Sequence, residues 1–369
     1  MLVGQSQDYD PDFLNSHETQ IIHGRGNPTL SDLWVTRHLI QPEVGKTPIK
    51  HDVSQINTSE SGIYLITSDQ ATGRTSLLKR MAREAQGKLN CVWLDGRKIT
   101  ESIVKDPVNI LAEGFGKINP SADGWQTFLE ADEEQNRIFI DDLHLSPLNI
   151  ATKRKFLSLL QGLASSVIAT VSEPFLIELL AISPHDTLRL HQWRLLDLSR
   201  GECMDLVKLW CTYKSETVSD HELDFRIAST CEQLEVLFGK KLMPRHPFFV
   251  LTALQSIDAG TPMDTAVGSF GGVYETVIHL AISKNAPNQA AISNERAYLE
   301  DLAYWCEFQP ADSNRTTFNK WFANLKGIDP KSDGVSLRGN LPHRRQPNAH
   351  AFYTDECRSM QMHALLVSG

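Results

Sequence analysis

Between residues 60 and 185 two kinds of apolar pattern alternate along the chain. Short runs that are apolar at every position, Ile63–Ile66, Cys91–Leu94, Ile138–Ile140 and Val167–Val171, are separated by longer stretches with apolar residues at helical spacing. A run with no polar face is buried on both sides, as a strand is inside a parallel sheet covered by helices above and below. The stretches between predict helices over 75–86, 107–116, 151–163 and 173–181. The expected fold class is therefore α/β, a parallel sheet in three αβα layers.

Beyond residue 185 the strand signal fades to one weak run, Trp193–Leu196. Ser199 followed by Glu202 gives the spacing of a capping box, ahead of the apolar face Leu206, Val207, Leu209, Trp210. Further helices are predicted at about 219–238, 247–257, 270–283 and 293–307. Residues 1–30 are polar and turn-rich, and 31–60 hold one apolar segment, Leu33-Trp34-Val35, before a Pro/Gly/Ser/Thr-rich connector. Leu337–Pro347 is basic and turn-rich, and no internal repeat is found. The organisation expected is a tail or linker over 1–48, a sheet domain over 49–185, a helical lid over 186–260, a helical region over 261–328 and an irregular basic tail over 329–369.

Composition narrows the class only a little. At 369 residues, 41% hydrophobic and 22% charged, the chain reads as an ordinary globular protein with room for a large core. A net charge of -9 offers no overall attraction to nucleic acid or anionic lipid, although a local basic patch remains open. The six cysteines lack C-x-x-C spacing, which predicts reduced thiols rather than zinc or disulfides. No apolar run approaches the roughly 20 residues of a membrane span, and the N-terminus lacks the pattern of a signal peptide. The expected location is cytoplasmic, with no membrane partner.

The chemistry is carried by two strand ends. Ser68-Asp69-Gln70-Ala71-Thr72-Gly73-Arg74-Thr75-Ser76 follows the first apolar run and opens the first helix, with the spacing of a phosphate-binding loop, G-x-x-x-x-G-K-[ST]. Ser68 stands at the first glycine and Arg74 at the lysine; Gly73 and Thr75 are in place. Such a loop gathers backbone N–H groups around a β-phosphate at a helix N-terminus. Thr75 would offer its hydroxyl to Mg²⁺, and residue 74 would reach the β- and γ-phosphates. Arginine keeps the charge but is longer and planar, so binding survives better than transfer. A plain polar turn is the bland alternative.

Asp141 and Asp142 close the apolar run Ile138-Phe139-Ile140, 66 residues after Thr75. In P-loop ATPases the first acid of such a pair holds the Mg²⁺ shell and the second polarises the attacking water. Asp141 takes the metal role here and Asp142 the catalytic one, unless both merely cap a helix. The run Val167–Val171 ends near two hydroxyls, Thr170 and Ser172, either of which is a candidate for the γ-phosphate or its water. Arg154, Arg189 and Arg194 are alternative sources of positive charge.

Taken together, residues 30–325 resemble the STAND class of signal-transducing P-loop ATPases, close to NACHT and AAA+ modules. The resemblance rests on SDQATGRTSLL, IFIDDLHLSP, VIATVSEPF, the segment Leu196–Trp210, and Met243-Pro244-Arg245-His246-Pro247-Phe248-Phe249-Val250. Asp32–Val35, Gly271–Glu275 and Tyr298–Ala303 are similar as well. The class implies ATP and Mg²⁺ as cofactors and places a lid proline, here Pro247, near the adenine. It implies a cytoplasmic switch that ATP opens for assembly with itself or a protein partner, often in bacterial conflict, antiviral defence or signalling. Some relatives carry an N-terminal metallophosphoesterase; Ile21–Gly26 is only faintly similar to its end, and one histidine builds no two-metal site. The altered loop implies slow or absent hydrolysis. Two other readings stay open: a non-enzymatic scaffold with a relic P-loop fold, and an AAA+-like regulator of DNA transactions, for which the basic Arg338–Arg345 stretch speaks and the acidic balance does not.

Overall fold

The computed structural model describes residues 12–258 apart from 18–20, 22, 43–46, 54–55, 57–59, 70, 120–123, 182–187, 216–218 and 239–243. All of these described residues belong to one compact unit, Met1–Gly260. The predicted helices at 270–283 and 293–307, the segments Gly271–Glu275 and Tyr298–Ala303, and the basic tail lie outside the described residues, as does Gln70.

The strands are β1 (His38–Ile40), β2 (Lys50–Asp52), β3 (Gly62–Thr67), β4 (Asn90–Asp95), β5 (Asn136–Asp141), β6 (Ser166–Val171) and β7 (Leu190–Leu195). They form one sheet in the order β2-β1-β7-β3-β6-β5-β4. The run from β7 to β4 is parallel, and β1 and β2 extend it antiparallel at the β7 edge. All six residues of β3 and of β6 are buried, in keeping with their unbroken apolar runs. The helices are α1 (Arg74–Ala85), α2 (Glu101–Lys105), α3 (Val108–Ile118), α4 (Gly124–Glu130), α5 (Ile150–Gln161), α6 (Glu173–Ala181), α7 (Arg200–Thr212), α8 (Asp220–Phe238) and α9 (Pro247–Asp258). None of the described helices is long and apolar enough to cross a membrane.

Side-chain alternation divides the core between the two faces of the sheet. Ile63, Leu65, Ile138, Ile140, Val167 and Ala169 point to one face, where Leu111 and Phe115 of α3, Phe156 and Leu160 of α5 and Leu179 of α6 cover them. Tyr64, Ile66, Trp93, Phe139, Ile168 and Trp193 point to the other, where α1 packs through Leu77, Leu78, Met81 and Ala82. The second layer is completed by the chain before β1. Leu14 is buried there, and Phe13 meets Trp93 edge-on with centroids 5.2 Å apart. Lys79 Nζ, from α1, donates to Ser16 O at 3.1 Å.

The structure adds the short helices α2 and α4, which the sequence reading did not place, and departs from it in three further places. The weak run expected at Trp193–Leu196 is a full strand from Leu190, paired along its length with β3, so the sheet continues past residue 185. The connector over 31–60 contributes β1 and β2, short strands too polar and brief to show a period-2 pattern. Residues 12–17 and 23–35 pack onto the domain: His23 is 3% exposed and lies 3.1 Å from Trp210 O, within hydrogen-bond reach.

The capping box on α7 forms as the sequence spacing predicts. Ser199 Oγ accepts from Glu202 N–H, and the Glu202 carboxylate accepts from Ser199 N–H at 2.6 Å while lying 3.0 Å from His38 Nδ1. Burial pushes the Glu202 carboxyl up, but its bonds to Ser199 and His38 outweigh this and leave it below the ordinary value of 4.5. A carboxyl lowered in the folded state stabilises fully above that value and ceases to do so as pH falls through the lowered one. Glu202→Gln should therefore cost on the order of 1 kcal/mol at neutral pH. The gap between variant and parent should close as thermal unfolding is followed below the ordinary glutamate value. A pH-independent gap would assign the loss to packing instead.

Candidate nucleotide site

Parallel strands carry their C-terminal ends to one edge, and the candidate residues gather there. From Thr67 the chain turns through Ser68–Gly73 into α1, with positive φ at Ala71 (60°) and Gly73 (90°). Gly73 is needed twice over. An L side chain is strained at that φ, and a Cβ would stand 3.3 Å from Arg37 Nη1 and 3.6 Å from Pro247 Cγ. Pro247 thus lies against the loop. The loop also closes on itself: the Ser68 and Thr72 hydroxyls touch, and Thr72 Oγ1 donates to Asp69 O at 2.7 Å.

Arg37, which sequence reading did not single out, braces this turn from outside. It is 4% exposed, donates from Nη1 to Thr72 O at 2.9 Å and from Nη2 to Leu196 O at 2.6 Å. Burial draws its guanidinium down to about 10, so it stays charged at neutral pH. A loop carbonyl held outward helps the neighbouring N–H groups face inward, where an anion would sit. The only sequence signal was its place directly after the apolar Leu33–Val35 segment.

Thr75 and Asp141 are brought together. Thr75 Oγ1 donates to Asp141 Oδ1 at 3.2 Å, and Thr170 Oγ1 donates to the same oxygen at 2.9 Å while accepting Asp142 N–H at 2.8 Å. Adjacent ligands of an octahedral Mg²⁺ with bonds near 2.1 Å lie about 2.9 Å apart. The Thr75 and Asp141 oxygens fit that spacing closely. Thr170 is accordingly a prop for Asp141. Ser172, the other hydroxyl candidate, sits half-buried just past β6, where its carbonyl accepts from Leu176 N–H in the first turn of α6.

Arg74 does not extend freely into the loop. Its Nη1 donates to Val171 O at 3.0 Å and its Nη2 lies 3.5 Å from Asp142 Oδ1. Arg97 Nη2 reaches the other Asp142 oxygen at 3.3 Å, and His144 Nδ1 lies 4.0 Å away. Asp142 itself has a left-handed backbone, φ 52°, which aspartate tolerates better than most residues. Its carboxylate is therefore held between two guanidiniums. Arg97 comes close because Gly96 lies so near the Asp142 carbonyl that a Cβ there would collide with it.

Topology sorts the other arginines. Arg194 is at the C-terminal end of β7 beside Thr67, 3.7 Å from Asp69 and 3.5 Å from Glu173. Arg189 lies at the opposite end of that strand, about 17 Å away by strand rise, with its carbonyl bonded to Ile63 N–H. Arg154 is buried between α5 and α6, donating to Leu179 O at 2.6 Å.

No protein-family model matches the chain, and neither does any curated protein. Among solved structures it is similar to a chain of the Drosophila ORC bound to DNA, at TM-score 0.38 and 12% identity over 74% of this chain and 78% of that one. Saccharomyces cerevisiae RIF2 gives TM-score 0.35 and 13% identity over 57% and 80%. Rif2 in complex with the C-terminal domain of Rap1 gives 0.35 and 12% over 57% and 75%. Likenesses this distant carry no argument about the present chain, and the α/β assignment rests on its own seven-stranded, mostly parallel sheet.

The doubly constrained glycine gives a direct check. Gly73→Ala should destabilise the protein by roughly 1–2 kcal/mol through the left-handed backbone alone, read as a lower urea midpoint with an unchanged slope. An unshifted midpoint would mean that the turn relaxes to another conformation at no cost.

Proposed function

We propose that this protein is an ATP-binding switch module of the P-loop type, in which nucleotide with Mg²⁺ lies between the sheet edge and the helices α7–α9, which act as a lid. The observation that carries the reading is the 3.2 Å approach of Thr75 Oγ1 to Asp141 Oδ1, from residues 66 apart in sequence, at the end of two buried strands. Backbone N–H groups of Ser68–Ser76 and the α1 N-terminus would hold the phosphates, Thr75 and Asp141 the Mg²⁺, and Pro247 the base side. Bound Mg²⁺ would supply charge neutralisation at the β- and γ-oxygens. Asp142 and Ser172 are the residues proposed to face the attacking water.

The pairing of Arg74 and Arg97 with Asp142 supports slow or absent hydrolysis. The Asp142 carboxylate is already engaged by two guanidiniums, and an arginine anchored on Val171 O is poorly placed to follow a moving phosphoryl group. The same contacts favour a second reading, a scaffold whose loop is filled by its own ion pairs and takes no nucleotide. Function as a bacterial signalling or defence switch, with self-assembly or a protein partner, is the wider form of the proposal and follows from the sequence resemblance alone.

Mg-ATP at 100 times its dissociation constant should add about 2.7 kcal/mol of stability, a rise of several degrees in melting temperature. Thr75→Ala and Asp141→Asn should abolish most of that rise without a comparable change in the nucleotide-free melting point. An unchanged parent melting temperature at saturating Mg-ATP would sink the binding reading and leave the scaffold. If the parent turns over ATP at all, Arg74→Lys should raise the single-turnover rate; a lysine variant no faster than the parent would show that residue 74 is not what limits it.

A further inference from the structure

A second cluster of ligating side chains lies beside the proposed nucleotide site and shares no residue with the Thr75–Asp141 pair. Asp69 leaves the end of β3, Asp197 leaves the end of β7, and His246 precedes α9. β3 and β7 are neighbours with Thr67 opposite Arg194, so Asp69 and Asp197 emerge side by side at one edge. Leu198 N–H donates to Arg245 O at 3.0 Å and draws His246 to the same place. One ligand atom from each residue lies within 4.8 Å of the other two.

His246 is what separates this cluster from an ordinary pair of surface acids. It is 6% exposed, and its ring stacks on Phe249 at a centroid distance of 5.7 Å. Nε2 faces Asp197 Oδ1 at 3.2 Å and helps hold that carboxyl below its ordinary value, while Nδ1 has no hydrogen-bond partner among the described residues. A buried ring nitrogen left without a partner is costly. A carboxylate oxygen at that separation from the imidazole can also serve as a second ligand on one ion. Bonds of about 2.0–2.1 Å to a tetrahedral Zn²⁺ put nitrogen and oxygen ligands about 3.3 Å apart. Asp69 is exposed, and its carboxylate lies within 4.8 Å of the other two ligand atoms.

We propose that Asp69, Asp197 and His246 form a site for a borderline first-row divalent cation, with Zn²⁺ the best match, joining the phosphate loop to the start of α9. One imidazole and two carboxylates balance the ion's charge and leave a fourth position for water. Mg²⁺ is excluded by the nitrogen donor and by its demand for octahedral oxygen ligands. Arg194, now 3.7 Å from Asp69, keeps Glu173 as its partner when Asp69 turns to the metal. The proposal goes beyond nucleotide binding and stands without it.

The test uses the full chain after chelator treatment, with no nucleotide present. Co²⁺ titration in excess Mg²⁺ should give visible d–d absorption saturating at one equivalent and displaced by Zn²⁺. The buried thiols of Cys91 and Cys203, pushed up to about 12, do not compete. Asp69→Asn, at an exposed position that leaves the fold intact, and His246→Gln should each weaken binding by roughly tenfold or more. Asp141→Asn should leave it unchanged. Absence of the band in the parent, or tight binding retained by either Asp69→Asn or His246→Gln, overturns the site. Loss of binding on Asp141→Asn would reassign the ion to the Thr75–Asp141 pair. Because the readout is metal alone, its failure is separate from a failure of Mg-ATP to raise the melting temperature.

Discussion

The register of three buried parallel strands is the constraint from which the rest follows. β6 lies between β3 and β5, with Leu65 opposite Ala169 and Ile140 opposite the same residue. A slip of one residue would turn every side chain of a strand to the wrong face, so burial of both faces fixes the pairing firmly. That pairing decides which residues meet beyond the strand ends. Thr170 comes into reach of Asp141, and α1, launched from the end of β3, lowers Thr75 onto the same carboxylate. The hydrophobic core thus positions a polar site to which it contributes no polar atom.

Positive charge is distributed around this edge in an unusual way. Arg37 braces the turn, Arg74 and Arg97 hold Asp142, and Arg194 joins Asp69 to Glu173. Each guanidinium has planar, directed donors that bind well to carbonyl or carboxylate oxygens, and each has found such partners within the protein. A lysine at position 74 could not make the same forked contact with Val171 O and Asp142 together. Arginine at position 74 is thereby anchored where a lysine would be freer.

Much of this was legible from the residues alone. The four unbroken apolar runs are all strands, and α1, α3, α5 and α6 begin within one residue of the predicted starts, whereas the short helices α2 and α4 were not foreseen. Ser199 and Glu202 announced the start of α7, since a capping box is written in four consecutive positions. What escaped was nonlocal. β1 and β2 are three residues long and owe their existence to the open edge of β7. Arg37 and Arg97 act on loops 35 and 45 residues away, respectively. Nothing around Arg37 signals that its charge would be buried, or around Arg97 that Gly96 would let it approach Asp142. Arg154, Arg189 and Arg194 looked equivalent in sequence and were separated only by strand direction.

One consequence concerns the packing on the far side of α1. Lys79 donates to Ser16, and Arg83 donates to Asn15 Oδ1 at 2.7 Å and also touches the Ser31 hydroxyl. Lys117 lies 3.8 Å above the Phe13 ring. The first turn of α1 carries Thr75, and its later turns carry Lys79 and Arg83, along one stiff rod of 12 residues. A tilt of that rod at its Thr75 end would therefore be felt at Asn15, Ser16 and Ser31, the residues that its later turns grip.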